Sequence, residues 1–293
     1  MLPARFEYHR PGSLDEALRL LADLGDDAKV LAGGQSLIPL LKLRLAAPGH
    51  LIDVNRIEGL AGITEADGQV RIGALTRHHD LETSDLLQRK APTVASAAPM
   101  IADPLVRNMG TIGGSLAHAD PAGDLGSVML SLGASVIARS TTAEREIPIG
   151  EFLVDTFTTS LQSSELLTEI RIPTGPGIGG TYLKLERRVG DFATVGVAVT
   201  VTMSNGSIGR AGIGLTGVGL TNIEASAAED SLAGAQPGDD AFAEAGRLAA
   251  EASHPVSDVR GSADYQRHVV DVYVRRGLAS AVGSARAARG ASR

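Results

Sequence analysis

Cysteine and tryptophan are absent from this 293-residue sequence, and aromatic residues make up only 3% of it. Without cysteine the chain can have no disulfide framework, no thiolate zinc site, no cysteine-ligated iron–sulfur cluster and no cysteine nucleophile. Because so few aromatic rings are present, we also expect no stacking platform for single-stranded nucleic acid. Any metal cluster that serves this protein would have to lie on another chain.

Excess positive charge is lacking as well, since 27 Lys and Arg residues face 34 Asp and Glu residues and the net charge is −7. Nucleic-acid-binding proteins usually carry a basic face, so we expect no nucleic-acid partner. No run of 18 apolar residues occurs, and residues 1–9 have no apolar segment typical of a signal peptide. We therefore expect a cytoplasmic chain without a transmembrane segment. Peripheral attachment at the inner face of the membrane through a partner is left open.

No two of the seven histidines lie at the i, i+4 spacing that a two-histidine metal site on a helix requires. His78 and His79 are adjacent, so their side chains point in different directions, and a solvated loop or helix start explains them better than a metal site. We also find no nucleophile paired with a base. The sequence therefore predicts no metal site and no catalytic residue of its own.

With 43% hydrophobic and 21% charged residues, the chain has the composition of a soluble globular protein large enough for two modest domains. A capping box at Ser13–Glu16 and apolar residues at helical spacing predict a helix over 13–24. Further along we predict strands at 29–32, 51–54, 69–75, 134–139 and 166–173, an apolar turn or short helix at 37–45, helical segments at 84–101 and 124–132, and a glycine-rich loop at 110–115.

The glycine-rich stretch 174–180 is the clearest linker signal, and we place a domain boundary there. Beyond it, alternating valines over 194–203 and the Asn205-Gly206 pair predict a β-hairpin whose return strand covers about 207–218. Helical segments follow at about 222–234, 239–252 and 262–280. This half is therefore predicted to be α+β, an antiparallel sheet with helices on one face, ending in a frayed tail over 286–293.

Two short segments combine paired glycines with a hydroxyl residue, Gly33-Gly34-Gln35-Ser36 and Thr111-Ile112-Gly113-Gly114-Ser115. Glycines allow positive φ and close approach of the backbone, and successive amides can form an anion-binding nest. Each segment alone is explained more simply as a turn. Together, about 80 residues apart, they favour an extended diphosphate held from two sides.

A third glycine pattern, Gly212-Ile213-Gly214-Leu215-Thr216-Gly217, matches the dinucleotide-binding consensus. That consensus requires a helix opening on its last glycine, whereas this stretch lies in the return strand of the predicted hairpin. We interpret these glycines as sites of close packing or a bulge. Asp124 is predicted either to accept sugar-type hydroxyls or to cap a helix. Arg187-Arg188 is either a solvated pair or a positive rim around an anionic cofactor.

The segments AGGQS at 32–36, RNMGTIGGSLAHADPAGDL at 107–125 and YLKLERRVGDFATVGVAV at 182–199 resemble the flavoprotein subunit of molybdenum hydroxylases. This family includes carbon monoxide dehydrogenase medium subunits and the FAD domain of xanthine dehydrogenases, and the resemblance covers nearly the whole chain. It implies a split FAD-binding domain of the vanillyl-alcohol-oxidase type over 1–175, with subdomains of about 1–57 and 58–175. A smaller α+β domain would follow over 178–285.

The resemblance also implies a set of FAD-binding residues. Residues 31–38 and 111–115 would surround the diphosphate, Asp124 would bind the ribityl chain, and Leu167 would pack near the nucleotide end or the adenine. Ile101, Asp191 and Phe192 would lie beside the isoalloxazine ring, although relatives often carry Tyr at position 192, and Phe192 lacks that hydroxyl. The full set is Leu31, Ala32, Gly33, Gly34, Gln35, Ser36, Leu37, Ile101, Thr111, Ile112, Gly113, Gly114, Ser115, His118, Asp124, Leu167, Lys184, Asp191 and Phe192.

The resemblance further implies two partners in a dimer of heterotrimers. A large subunit would hold molybdenum and molybdopterin, a small subunit would hold two [2Fe-2S] clusters, and electrons would pass through FAD to an external acceptor such as a quinone or NAD. Carbon monoxide is the first substrate to expect, with purine, aromatic acyl-CoA and N-heterocycle hydroxylases as alternatives. Two other classes stay open: a stand-alone FAD oxidoreductase, and a binding module that has lost its cofactor.

Overall fold

Residues 2–291 are described by the structure, a computed structural model, with side chains up to residue 288. The α-helices are α1 (Leu14–Leu24), α2 (Leu37–Leu43), α3 (His78–Thr83), α4 (Asp85–Lys90), α5 (Pro92–Ala97), α6 (Pro104–Met109), α7 (Ile112–His118), α8 (Asp124–Leu132), α9 (Ile149–Phe152), α10 (Ser226–Leu232), α11 (Asp239–Ala252) and α12 (Ala263–Ala291). Short 3₁₀ turns cover Gly25–Asp27 and Ala98–Met100.

The strands form four sheets. They are β1 (Glu7–His9), β2 (Ala28–Leu31), β3 (His50–Asp53), β4 (Ile63–Ala66), β5 (Gln69–Gly73), β6 (Ser135–Arg139), β7 (Glu144–Pro148), β8 (Leu153–Asp155), β9 (Thr158–Thr159), β10 (Leu166–Pro173), β11 (Ile178–Leu185), β12 (Val195–Ser204), β13 (Ser207–Thr216) and β14 (Ile223–Glu224). The sheet orders are β1-β3-β2, β4-β5-β10-β6-β7, β11-β12-β13-β14 and β8-β9. This α+β content agrees with the fold class predicted from the sequence.

The first sheet is parallel, with β3 between β1 and β2. Helix α1 packs on it through Ala17, Leu18 and Leu21, which join Ile52 in one buried cluster. The helix begins where the capping box predicts, since the Glu16 amide donates to Ser13 Oγ at 3.2 Å. The predicted helix over 13–24 is therefore confirmed.

Helix α8 lies at the centre of the molecule, and all nine of its residues are buried. It packs on β12 and β13 of the C-terminal sheet and on α5 and α7 of the first domain. Its three polar side chains, Asp124, Ser127 and Ser131, are buried with hydrogen-bond partners, and the other six residues are apolar or glycine.

The C-terminal sheet is antiparallel and turns at the predicted hairpin, where Asn205 and Gly206 have φ values of 49° and 89°. Positive φ at both positions is the pattern of a type I′ turn. Helices α10 and α12 pack on one face of this sheet and α11 packs on these two helices, so the three helices lie on one side as predicted. The other face packs on α5 and α8, so both faces of β12 are buried.

Close packing on α8 explains the dinucleotide-like glycine pattern. A Cβ at Gly212 would meet the carbonyl of Ser131, and a Cβ at Gly214 would meet the carbonyl of Ser127. The backbone of β13 therefore lies directly on α8, and glycine is required because no side chain fits between them. The packing interpretation of these glycines is confirmed.

Several boundaries differ from the sequence prediction. Residues 222–234, predicted as one helical segment, contain β14 at Ile223–Glu224, and α10 covers only Ser226–Leu232. Strand β11 begins at Ile178, so the linker is shorter than 174–180, and Gly179 packs against the backbone of α12. Helix α12 continues to Ala291 where a frayed tail was predicted from 286, and residues 292–293 lie outside the described part of the chain.

Candidate functional site

The first glycine segment follows β2 and makes a sharp turn into α2. Gly33 is buried, and a Cβ there would collide with the Met109 carbonyl and lie 2.7 Å from Gly110 Cα. Gly34 has φ +74°, which favours glycine. Within the described chain, the amides of residues 33–37 donate no hydrogen bond to protein. Such a row of free amides forms a nest for an anion.

The second glycine segment is not the loop that the sequence predicts. Thr111 caps α7, and its Oγ1 accepts the Gly114 amide at 3.1 Å. The Ile112 and Gly113 amides donate to the carbonyls of Thr76 and Ala74. The predicted anion nest is therefore wrong here, because these amides already have partners. Gly113 serves packing, since a Cβ would meet Ala74.

The second segment contributes exposed surface next to the first segment rather than free amides. Gly114 is exposed on the first turn of α7, 3.8 Å from the Ala32 side chain when measured from a Cβ placed on Gly114. Ser115 is half-buried. The two glycine segments thus meet, as predicted, but only the first has amides free for a ligand.

Asn55 and Arg77 fasten these two segments together. Asn55 Nδ2 donates to the carbonyls of Ala32 at 2.8 Å and Leu31 at 3.3 Å. Arg77 donates from one guanidinium nitrogen to Asn55 Oδ1 at 2.8 Å and from the other to the Met109 carbonyl. We call these two residues the Asn55–Arg77 brace.

The brace was not predicted from the sequence. Its one local signal is that each residue follows shortly after a strand end, Asn55 after β3 and Arg77 after β5. Next to it, His78 is buried at the start of α3 rather than solvated, and its ring packs against Gly110. Burial, together with the charges of Arg107 and Arg77, lowers the pKa of His78 to about 4, so its ring is neutral near pH 7.

Asp124 lies at the centre of a buried polar cluster. Its Oδ1 accepts from the Tyr182 hydroxyl at 2.7 Å, and its Oδ2 accepts from Lys184 Nζ at 3.1 Å. Lys184 Nζ also donates to the Met100 carbonyl at 2.9 Å and lies 3.6 Å from Glu186 Oε2. Burial raises the pKa of Asp124, and the nearby Lys184 cation opposes that shift. The predicted helix cap is wrong, because Gly123 occupies that position and the carboxylate points to Tyr182 and Lys184.

A second group of predicted residues meets around Ile101. Gly190, with φ +90°, approaches so closely that a Cβ would lie 2.9 Å from the Ala102 carbonyl. The loop 187–192, which carries Asp191 and Phe192, therefore lies against the chain next to Ile101. Phe192 is 61% exposed and Val189 is 98% exposed, so this loop presents apolar side chains to solvent.

Helix α6 connects the two neighbourhoods, since it runs from just after Ala102 to Met109. Arg107 on this helix donates to the carbonyls of Ile101 at 3.1 Å and Ala102 at 3.4 Å, and pairs with Glu82 at 2.9 Å. Six helical residues span about 9 Å. This arrangement suits a long ligand with one end at Gly33 and the other near Ile101.

The remaining two predicted residues are His118 and Leu167. His118, at the end of α7, contacts the Phe157 ring with centroids 5.0 Å apart, and burial lowers its pKa. Leu167 is buried in the core on β10, opposite Ala138 of β6. A contact of Leu167 with an adenine stays a prediction.

Comparison with known protein families shows which family this chain belongs to. Residues 4–175 match the family described as the FAD binding domain in molybdopterin dehydrogenase, and residues 180–281 match the CO dehydrogenase flavoprotein C-terminal domain. The chain belongs to the FAD-binding subunit family of molybdopterin dehydrogenases. Its cofactor is accordingly FAD, and the chain is an oxidoreductase component.

Individual relatives of this flavoprotein match over nearly their full lengths. The 6-hydroxypseudooxynicotine dehydrogenase complex subunit alpha of Paenarthrobacter nicotinovorans is 44% identical, covering 98% of this chain and 97% of the relative. The carbon monoxide dehydrogenase medium chain of Hydrogenophaga pseudoflava is 42% identical, covering 96% and 98%. Carbon monoxide dehydrogenase from the same organism superposes with a TM-score of 0.94 at 43% identity, covering 97% of this chain and 99% of that chain. Quinoline 2-oxidoreductase from Pseudomonas putida 86 has a TM-score of 0.90 at 33% identity, covering 99% and 100%.

None of the helices in residues 2–291 has both the length and the apolar character needed to cross a membrane.

Proposed function

We propose that this flavoprotein is the electron-transfer subunit of a molybdenum hydroxylase. It would receive electrons from [2Fe-2S] clusters on a small partner subunit and pass them to an external acceptor such as a quinone or NAD. The observation that carries the proposal is the row of free amides at 33–37, set against the second glycine segment in a chain that matches the FAD-binding family throughout. Bound FAD can take up and release electrons singly or in pairs, and the protein supplies its binding, orientation and tuning.

The residues fit a dinucleotide cofactor. The free amides of 33–37 would donate to the diphosphate, and Gly33 allows the backbone to come close because a Cβ would fill the space. The hydroxyls of Ser36 and Ser115 have no hydrogen-bond partner within the described chain and could add donors. The Asn55–Arg77 brace would hold both segments at the spacing that the diphosphate needs.

The buried cluster around Asp124 would orient the rest of the cofactor. Each carboxylate oxygen has a second lone pair, so Asp124 can accept a ribityl hydroxyl while keeping its bonds to Tyr182 and Lys184. Lys184 offsets the negative charge of the buried carboxylate. The flavin ring, at the end of the cofactor away from Gly33, would be covered by Ile101 and by the loop 187–192 with Asp191 and Phe192.

The division of labour between subunits is what the family membership implies, with the molybdenum cofactor on a large subunit and the iron–sulfur clusters on a small one. The absence of cysteine in this sequence fits that division, because cysteine-ligated clusters would then lie on a partner. We propose that the three chains assemble as a dimer of heterotrimers. In that assembly the organic or gaseous substrate is oxidised on the large subunit.

Carbon monoxide is the substrate we propose first, supported by the 42% identity and the TM-score of 0.94 to carbon monoxide dehydrogenase. A nicotine-derived N-heterocycle is the second candidate, supported by the 44% identity to the 6-hydroxypseudooxynicotine dehydrogenase subunit. Near-equal identity to subunits of enzymes with different substrates is expected if the substrate is selected on another chain. Reduction of the flavin in the purified complex by carbon monoxide or by 6-hydroxypseudooxynicotine distinguishes the two.

The function is tested by purifying the chain alone and with its co-expressed partners, recording the visible spectrum and identifying the flavin released by acid. We expect about one FAD per chain in the complex. Gly33→Ala should lose most of the FAD, because the methyl group meets the Met109 carbonyl. Gly175→Ala is the matched control, since nothing lies within 4 Å of a Cβ there, and it should keep the wild-type FAD content.

A chain that stays colourless with added FAD and with its partners would contradict the proposal and favour a module that has lost its cofactor. Flavin reduction by substrate in the isolated chain would instead favour a stand-alone FAD oxidoreductase.

A further inference from the structure

Glu7, His9 and His50 share one face of the parallel sheet, far from each other in sequence but neighbours in space. Glu7 and His9 are two residues apart on β1, so their side chains point to the same side. The register of β1 and β3 places Glu7 beside His50. The three side chains therefore converge at the edge of the sheet, on the strand nearest the amino terminus.

The distances suit metal coordination. His9 Nε2 and His50 Nδ1 are 3.0 Å apart, and Glu7 Oε2 lies 3.5 Å from His50 Nδ1. All three atoms lie within 4.8 Å of one another. Ligand atoms around a tetrahedral Zn²⁺ lie roughly 3.3 Å apart, given metal–nitrogen distances of about 2.0–2.1 Å. Small rotations of the side chains would bring the three atoms to that spacing.

Asp27 faces His50 Nε2, the ring nitrogen on the side opposite His9 and Glu7. Its Oδ2 lies 3.8 Å from His50 Nε2, and its Oδ1 accepts the Gly49 amide at 2.8 Å, which fixes the carboxylate. A carboxylate at Nε2 favours the tautomer with the proton on that nitrogen, and this leaves the Nδ1 lone pair free towards His9 and Glu7. Histidine ligands of metals are commonly oriented by such a carboxylate.

A hydrogen bond between the two rings would also explain the 3.0 Å distance. That bond would not require Glu7 beside His50 Nδ1 or Asp27 on the opposite ring nitrogen. Zinc sites commonly combine two imidazole ligands with one carboxylate ligand. They also commonly have a second carboxylate that faces the other nitrogen of a ligating imidazole, and both features are present here.

We propose that Glu7, His9 and His50 bind one Zn²⁺ ion, with a water as the fourth ligand, and that the ion fastens the edge strand β1 to β3. No metal site was predicted from the sequence, because these three ligands do not share a local motif. The site lies at the amino end of β3, whereas Asn55 of the brace follows the carboxyl end of the same strand. Five residues of extended chain separate the two, about 16 Å, so zinc binding and FAD binding are distinct.

The test uses the full-length protein, freed of metal with a chelator and dialysed to equilibrium against zinc chloride with a competing chelator. Zinc and FAD are then counted per chain. We expect about one zinc per wild-type chain, and at least tenfold weaker binding in both His9→Gln and His50→Gln. Asp27→Asn should weaken binding by about tenfold, the usual effect of losing an orienting carboxylate. His268→Gln, an exposed histidine on α12, is the control and should bind zinc as wild type does.

Two further readouts separate a built site from adventitious zinc. Zinc should raise the melting temperature of the wild type but not that of His9→Gln, because a ligand that binds only the folded state stabilises it. X-ray absorption at the zinc edge should show two imidazole ligands. If His9→Gln and His50→Gln bind zinc as well as wild type, or wild type binds none, the proposal is wrong. A full FAD count in these variants shows that they are folded, and it keeps the outcome independent of the proposed electron-transfer function.

Discussion

The Asn55–Arg77 brace offers a sharp test of how the FAD site is held, through the substitution Arg77→Ala. This change removes the donors to Asn55 Oδ1 and to the Met109 carbonyl, and so frees the two glycine segments from each other. FAD would then have to order both segments on binding, and the ordering cost lowers its affinity.

The magnitude follows from the two bonds that are lost. A hydrogen bond to a charged group contributes roughly 1.5–3 kcal/mol in general, and partial exposure of Arg77 reduces this to about 1 kcal/mol each. Their sum of about 2 kcal/mol corresponds to roughly 30-fold weaker FAD binding. The same bonds also stabilise the folded chain without FAD, so the melting temperature of the FAD-free protein should fall by a few degrees as well.

The assay is a titration of FAD-free protein with FAD, followed by quenching of flavin fluorescence. Arg77→Lys keeps the charge but cannot reach both acceptors with one planar fork, so we expect an intermediate loss. Arg139→Ala, which breaks a surface pair with Glu144 in the five-stranded sheet, is the control and should leave FAD affinity unchanged.

Asn55→Ala should cost a similar amount, and the double variant should lose little more than either single variant, because the two residues act as one unit. Wild-type FAD affinity in Arg77→Ala, or fully additive losses in the double variant, would refute the brace.

Three further substitutions test the buried charge and the close packing. Lys184→Met leaves the Asp124 carboxylate buried without its cation, and we expect a loss of about 3 kcal/mol in the free energy of unfolding measured in urea. Gly214→Ala presses a methyl group onto the Ser127 carbonyl, and we expect the melting temperature to fall by several degrees, since overpacking costs about 1–3 kcal/mol. Burial raises the pKa of Glu229 from 4.5 to about 7, so between these values the folded chain holds a proton that the unfolded chain has lost. The free energy of unfolding should therefore fall as pH rises through this window, and Glu229→Gln should reduce that fall.

Each of these changes has a matched control. Lys90→Met breaks a half-exposed pair with Glu65 and should cost under about 1 kcal/mol. Gly209→Ala lies on the same strand as Gly214 but faces solvent, with the nearest atom 3.2 Å from a Cβ, and should be tolerated. Equal losses in a variant and its control would contradict the proposed burial or packing effect. An unchanged pH dependence in Glu229→Gln would show that another group is responsible.

The sequence predicted most local elements because their signals lie within a few residues. The helix start at Ser13 and the Asn205-Gly206 turn each act through short-range hydrogen bonds and backbone angles, and both occur as predicted. The capping box is only half formed, because the Glu16 carboxylate accepts from the Gly12 amide rather than from Ser13. The dinucleotide-like glycines could be rejected for the same reason, because no helix follows them. Family resemblance supplied the FAD and the order of the domains, which composition alone does not contain.

For the two glycine segments, the local sequence could not predict which backbone amides are free to bind a ligand. Both have similar sequences, yet the amides of 33–37 are free and those of 112–115 have partners. The difference arises because Thr76 and Ala74, from a distant strand end, place their carbonyls against α7. Residues far apart in the chain decide which backbone groups remain available to a ligand.

Periodicity, caps and turn residues thus determined where this chain forms helices and strands, since those features depend on neighbours in sequence. Only the tertiary structure brought Asn55 and Arg77 between two separate segments, buried Asp124 with Lys184, and placed Glu7 and His9 beside His50. Each of these groupings joins residues more than 20 positions apart, and their contacts are set by strand register and core packing, which no local pattern records.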